Sequence, residues 1–197
     1  MIEQDAITVI VNGLPGAGKT TLARQLADRL DLPLFSKDAV KETIADALSG
    51  IRPSDMPQRE WSRALGGAAM STLWTLLAEA RGHAVLEAPW LAHHRQFALD
   101  GLKRAAIDPQ AVHEVWCDVP VSVARARYAA RAPERHAIHS EPDGKTDGKT
   151  DGEWDLWERN AEPLAVGAVH RVDMSGRVDI DALAAQIRLA AQIKTDR

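Results

Sequence analysis

Gly13-Leu14-Pro15-Gly16-Ala17-Gly18-Lys19-Thr20 lies between an apolar run and an amphipathic one, and its spacing is G-x-x-x-x-G-K-[ST], the P-loop pattern. Glycines at these positions let successive backbone N–H groups turn inward. A helix beginning at Lys19 adds the positive end of its dipole at the same point. The resulting cup suits a polyphosphate. Lys19 is placed to reach the β- and γ-phosphates of a nucleoside triphosphate as a point charge, and Thr20 to offer its hydroxyl to Mg2+. Gly13, Pro15, Gly16, Ala17, Gly18, Lys19, Thr20 and Thr21 are the candidate nucleotide contacts.

Further along, Ser36-Lys37-Asp38 closes a second apolar run, and the carboxyl ends of parallel strands face the ligand crevice. A carboxylate there can take the proton of an attacking hydroxyl, which makes Asp38 a candidate base and acceptor contact. Its other reading is a cap for the following helix. Glu87 closes the third strand; it either holds the water shell of Mg2+ or bonds to the P-loop, and a substrate contact is the further expectation. Arg127, Arg131 and Arg135 recur every four residues and so share one helix face. Guanidinium forks on a lid suit a transferring phosphoryl group, and a solvated basic face is the bland alternative. Arg127 and Arg131 are taken as catalytic, with Arg127 also on the nucleotide. Trp90 and His94, in the turn after the third strand, are candidate acceptor contacts, with core packing of the indole and an exposed helix start for the histidine as alternatives.

Apolar strand patterns alternate with longer helical patterns, the rhythm of an α/β domain with a parallel sheet. Strands are expected at 6–11, 32–35, 83–86, 112–117 and 168–173. Helices are expected at 19–30, 38–48, 58–80, 93–106, 120–132, 153–162 and 179–193. Ala64, Gly66, Gly67, Ala68 and Ala69 suggest that the long third helix passes close to another backbone and kinks there. The Asp-Gly-Lys-Thr doublet at 143–150 reads as a mobile surface loop.

The whole is 197 residues with 45% hydrophobic and 26% charged, the make-up of one ordinary domain. Cys117 stands alone, so an intrachain disulfide and a multi-cysteine zinc site are ruled out, and a reducing compartment, the cytoplasm, is expected. A formal charge of −4 disfavours nucleic acid as partner. No run approaches the roughly 20 apolar residues of a membrane helix, and Met1 to Asp5 does not resemble a signal or transit peptide.

The P-loop, Ser36-Lys37-Asp38 and an Arg-x-x-x-Arg helix running into Arg135-His136-Ala137-Ile138-His139 together resemble the small P-loop kinases grouped with zeta toxins, chloramphenicol phosphotransferase and polynucleotide kinases, the AAA_33-like ATP-binding proteins. The resemblance implies a three-layer sandwich with a five-stranded parallel sheet and a helical lid in one domain, 1–197, with the lid at about 120–140 and a flexible loop at about 140–153. It also implies ATP with Mg2+, Asp38 as base, lid arginines at 127 and 131, and adenine beside 175–178. Many relatives carry Arg-His-Pro-Gly-His where this chain has Arg-His-Ala-Ile-His, so lid shape and acceptor contacts are expected to differ. The expected activity is transfer of the γ-phosphate of ATP to a hydroxyl of a small molecule: a sugar, aminosugar, nucleoside or antibiotic. The alternatives are a polynucleotide 5′-kinase and an NTP-driven regulatory protein. The acceptor and the oligomeric state stay open.

Overall fold

A computed structural model describes residues 6–139 and 151–195. Five parallel strands form one sheet: β1 (Thr8–Gly13), β2 (Leu34–Ser36), β3 (Ala84–Glu87), β4 (Val112–Asp118) and β5 (Ala168–Asp173), in the order β2-β3-β1-β4-β5. The central β1 is buried throughout, and its side chains alternate between two cores. Val9 and Val11 join Leu22 and Leu26 of α1 (Lys19–Leu30) on one face. Ile10 joins Leu73, Trp74 and Leu77 on the other.

The remaining helices are α2 (Lys37–Ala47), α3 (Gln58–Glu79), α4 (Arg95–Arg104), α5 (Val121–Ala130), α6 (Asp151–Arg159) and α7 (Ile180–Thr195). α7 packs beside α1, with Leu183, Ala184 and Ile187 in the first core, while α3 and α4 cover the opposite face. Three layers result, the expected architecture. Among the described residues no helix is long and apolar enough to cross a membrane.

Boundaries shift where local chemistry intervenes. β2 begins at Leu34, not Leu32, because Pro33 has no N–H to give to a ladder; its carbonyl still accepts from the Val85 N–H at 2.9 Å. β1 starts at Thr8 and runs on to Gly13. The helix expected from residue 93 is preceded by a single 3-10 turn at Ala92–His94. The loop expected at about 140–153 falls mostly outside the described residues, and residues 151–153 open α6.

α3 runs unbroken, and its small residues make no close crossing. A Cβ on Gly67 would meet nothing within 4 Å, and one on Gly66 only Lys37 Cε at 3.9 Å. No backbone therefore crowds Gly66 or Gly67, although α3 packs along α2; Ala64, Gly67 and Ala68 lie on an exposed face, and the buried stripe is Leu65, Ala69, Leu73 and Leu77. The tight glycine is instead Gly101 of α4, where a Cβ would lie 2.2 Å from Trp74 Cε2.

These two environments predict opposite signs for one substitution. Gly101→Ala forces the buried Trp74 ring aside and should lower unfolding free energy by about 1–3 kcal/mol in urea titration. Gly67→Ala, with open space and a helical backbone, should raise it by about 0.5–1 kcal/mol.

Candidate active site

The chain leaves β1 at Gly13 and re-enters a helix at Lys19, with Gly16 at φ 84° and Gly18 at φ 96°, a left-handed conformation that glycine adopts without strain. Gly16 has a second constraint. A Cβ there would lie 2.1 Å from the Ala124 carbonyl oxygen, so the loop rests directly on the backbone of α5. Ala17 donates its N–H to the Leu14 carbonyl at 3.0 Å, and Lys19 Nζ donates to the same oxygen at 2.8 Å. Ala17 is fully buried, while Pro15, Gly16, Gly18 and Thr20 are partly exposed and Thr21 is exposed.

The strand-to-loop junction is held by two polar residues that sequence reasoning did not single out. Asn12 Oδ1 accepts from the Gly13 N–H at 2.7 Å, and Asn12 Nδ2 donates to Glu114 Oε1 at 2.9 Å. Glu114, fully buried on β4, also accepts from the N–H groups of Leu164 and Val166. Burial pushes its carboxyl above the ordinary range against those donors. The available signal was Asn12 and Glu114 themselves, polar residues inside two strands that are mostly apolar.

Lys19 is buried, and burial lowers its ammonium pKa; Glu87, Cys117 and Asp38 oppose that shift, and Arg131 reinforces it. The expected base, strand-end acid and one lid arginine are thus gathered about the P-loop lysine. Glu87 is buried and accepts from Ser36 Oγ at 2.6 Å across β2 and β3. Asp38 sits in the first turn of α2. The N-cap is Ser36, without a side-chain cap bond, so Asp38 is not the cap. Lys37 Nζ donates to Asp38 Oδ1 at 2.8 Å, and the Asp38 side chain is 52% exposed. Burial would raise the Asp38 carboxyl, but Lys37, His139 and Lys19 outweigh it and hold the pKa at about 2.

The helix face expected to carry three arginines does not form: α5 ends at Ala130, so only Arg127 lies in it, Arg131 is its C-cap, and Arg135 follows a 3-10 turn with an extended backbone. Arg127 donates from both terminal nitrogens to the Met174 carbonyl, at 3.1 and 3.2 Å, on the far side of the P-loop. Arg131 lies toward Lys19. Arg135 folds back over the Tyr128 ring, 3.8 Å from its centroid, and donates to the Tyr128 carbonyl. Beside Arg127 opens a cleft of about 740 Å3 lined by Thr21, Leu22 and Gln25 of α1 and by Met174, Gly176, Arg177 and Val178 after β5. The cleft borders the turn at 175–178 beside which adenine is expected, but its other wall is α1 and not the lid helix.

Two expected acceptor contacts are corrected or displaced. Trp90 is fully buried and stacks on Trp74 with centroids 5.3 Å apart, so its indole is core and presents no face to a substrate. A period of apolar residues could not separate these outcomes, because a strand-end tryptophan serves either. His94 is partly buried, with its ring 3.9 Å from that of His93, and burial followed by His93 lowers its pKa to about 4. No contact among the described residues joins His94 to Lys19, Asp38 or Glu87. Trp154 is also core: it meets Tyr128 edge-on at 5.7 Å and anchors α6 to α5.

The AAA domain family AAA_33 matches residues 9–148. The chain belongs to it. Among solved structures, this AAA_33 protein is similar to a candidate kinase from Chloroflexus aurantiacus J-10-fl, with 28% identity, TM-score 0.75, and 95% of this chain and 99% of that one covered. A gluconokinase from Sinorhizobium meliloti 1021 matches with 18% identity and TM-score 0.58 over 96% and 97% of the two chains. An APS kinase from Mycobacterium tuberculosis, in complex with AMPPNP and APS, matches with 25% identity and TM-score 0.51 over 95% and 98%. No curated protein matches the chain. The sheet, the P-loop and the order of elements are those of the small P-loop kinases.

Cys117 lies behind the loop, and burial pushes its thiol up to about 12, with Lys19 opposing and Glu87 adding. Its thiolate is scarce at pH 8. Alkylation by iodoacetamide, followed by mass spectrometry, should therefore be slower by 10-fold or more than in urea, where the thiol returns to roughly 8.5.

Proposed function

We propose that this AAA_33 protein transfers the γ-phosphoryl group of ATP to a hydroxyl of a small molecule. The observation that carries the reading is the convergence of Asp38, Glu87 and Arg131 on a buried P-loop lysine, beside a cleft large enough for a nucleoside. The family match and the likeness to kinases of small molecules support it.

The donor set fits ATP. The loop amides of Gly16 and Gly18, the start of α1 and the Lys19 ammonium complement the phosphates, and the cleft by Gln25 and Met174 takes the base. On binding, the phosphates replace the Leu14 carbonyl as the partner of Lys19 Nζ. The donor set also fits Mg2+ in the manner of phosphate-bound ions: among the described residues no group of three or more His, Cys, Asp or Glu gathers to hold a metal, and Thr20 Oγ with Glu87 would complete a shell made mainly of phosphate and water. When bound, the ion offsets charge on the β- and γ-oxygens.

Asp38 receives the acceptor proton on a carboxylate oxygen as the acceptor oxygen bonds to the γ-phosphorus. The bond from that phosphorus to the β–γ bridging oxygen breaks, and ADP leaves. A pKa of about 2 makes Asp38 a feeble base in the ground state, so its work is to aim the hydroxyl and take the proton late, once the P–O bond is largely formed. Arg131 faces the transferring charge, and Arg127, on Met174, faces the base and ribose.

Four substitutions test this. Lys19→Ala should abolish ATP turnover, and Asp38→Asn should keep ATP affinity while losing acceptor-dependent ADP release by roughly 100-fold or more. By calorimetry Arg131→Ala should weaken ATP about tenfold more than ADP, whereas Arg127→Ala should weaken both alike. The assay is a screen of sugars, aminosugars, nucleosides and antibiotics for ADP release that needs both Mg2+ and acceptor. Wild-type transfer by Asp38→Asn would overturn the base assignment.

A further inference from the structure

The lid does not end at Arg131. Beyond it, Arg135 to His139 crosses to the other side of the site and is fastened there at every residue after the first. Ile138 is buried between Ala45 of α2 and Leu65 of α3. Its carbonyl accepts from Ser62 Oγ at 2.8 Å, and the Ala137 carbonyl accepts from Gln58 Nε2 at 3.3 Å. His136 Nε2 meets Asp46 Oδ1 at 3.0 Å, and His139 Nε2 meets Glu42 Oε1 at 2.9 Å. Asp38, Glu42 and Asp46 are spaced by four and so share one face of α2. The histidines dock on the last two acids, and His139 lies near enough to Asp38 for each charge to affect the other.

We propose that Arg135–His139 is a strap joining the lid to α2 and α3, and that His139 within it is a positioning residue for Asp38. This rests on the phosphotransfer reading above. The ring has one arrangement that satisfies both neighbours: Nε2–H donates to Glu42, while Nδ1 accepts from Lys41 Nζ at 3.4 Å. Lys41, itself buried, also donates to Ser62 Oγ at 2.7 Å, so one chain of contacts links α2, α3 and the strap. Neutral His139 thereby fixes the turn of α2 that carries Asp38.

Protonation at Nδ1 would turn an N–H toward the Lys41 ammonium. The groups facing the ring are Lys37, Asp38, Lys41 and Glu42 of α2 and the Ser62 hydroxyl of α3, with His136 edge-on at 6.5 Å in the strap. Burial leads in lowering the His139 pKa, Lys41 and Lys37 add to it, and Asp38 and Glu42 oppose. A depressed histidine contributes to the docked state above its unfolded pKa, and that contribution is lost as pH falls through the folded value. The strap is thus fastened at neutral pH and loosens in acid.

The test is hydrolysis of MgATP, with water as the acceptor, by the full chain. His139→Ala should lower kcat about 10- to 100-fold with the KM for ATP within about twofold. His139→Gln keeps a donor and an acceptor but does not titrate; it should recover most of kcat at pH 8 and lose the acid limb, which the wild type shows below the ordinary histidine range. Glu42→Gln, which leaves the buried contacts of Ile138 in place, is the second variant and should share the kcat defect. Wild-type kcat in both His139→Ala and Glu42→Gln, or an unaltered acid limb in His139→Gln, would overturn the proposal. Asp38→Asn assayed alongside separates the two levels: if it is inactive while His139→Ala is normal, only the strap is wrong, and if it is fully active, the strap falls with the base.

Discussion

A buried ammonium governs this site. Lys19 leaves water at the start of α1, and a cation so placed has to be surrounded by oxygen or by opposite charge. The Leu14 carbonyl supplies one partner within the loop. Glu87 from β3 and Asp38 from α2 supply charge from two further elements, and Arg131 from beyond α5 works against them. The strand ends, the first turn of α2 and the lid therefore converge because each stands in the field of one lysine. On the function proposed above, a triphosphate would take over the lysine and give Arg131 an anion to face.

Much of this arrangement is legible in the chain, for physical reasons that also mark where legibility stops. Strands buried on both faces are rich in apolar residues, which makes β1 and β4 readable despite Asn12, His113 and Glu114, and the spacing of leucines in α1 can serve only one helix face. The P-loop is readable because its glycines are demanded by backbone geometry. Three things were hidden. The roles of the arginines at 127, 131 and 135 depend on where a ten-residue helix sits, and a shared face in sequence did not mean a shared target. Trp90 has the same signature whether it roofs a pocket or fills a core, and only the facing Trp74 decides. The glycines of α3 looked like a crossing point, yet the crowded glycine within a helix is Gly101, which nothing in its neighbours advertises.

The polar residues overlooked at first have a shared logic. Asn12 and Glu114 lie in the driest part of the molecule, so every hydrogen-bonding atom has to find a partner there, and the partners are backbone N–H groups at the entry to the P-loop and in the segment before β5. Such a network is intolerant of slippage. A shift of one residue between β1 and β4, now paired Asn12 to Trp116 and Val11 to Val115, would strand the Glu114 carboxylate among apolar side chains. The cost of burying it is offset by the register it enforces, and that register puts Gly13 next to Cys117, where the loop must begin.

The lid and the nucleotide cup are consequently one object rather than two. Gly16 rests on the Ala124 carbonyl, Arg127 is tied to Met174, and Met174 in turn covers the start of α1 at Gly18. A phosphate that orders the loop amides therefore presses on α5 without touching it. At its other end the same stretch is pinned to α2 and α3 by Ile138, whose burial contributes about 2 kcal/mol. A lid held at both ends cannot swing as a free flap. Between those ends the chain has left α5 and passes through a single 3-10 turn at Ala132–Glu134, so Arg131 stands where the helix gives way to the segment docked on α2 and α3.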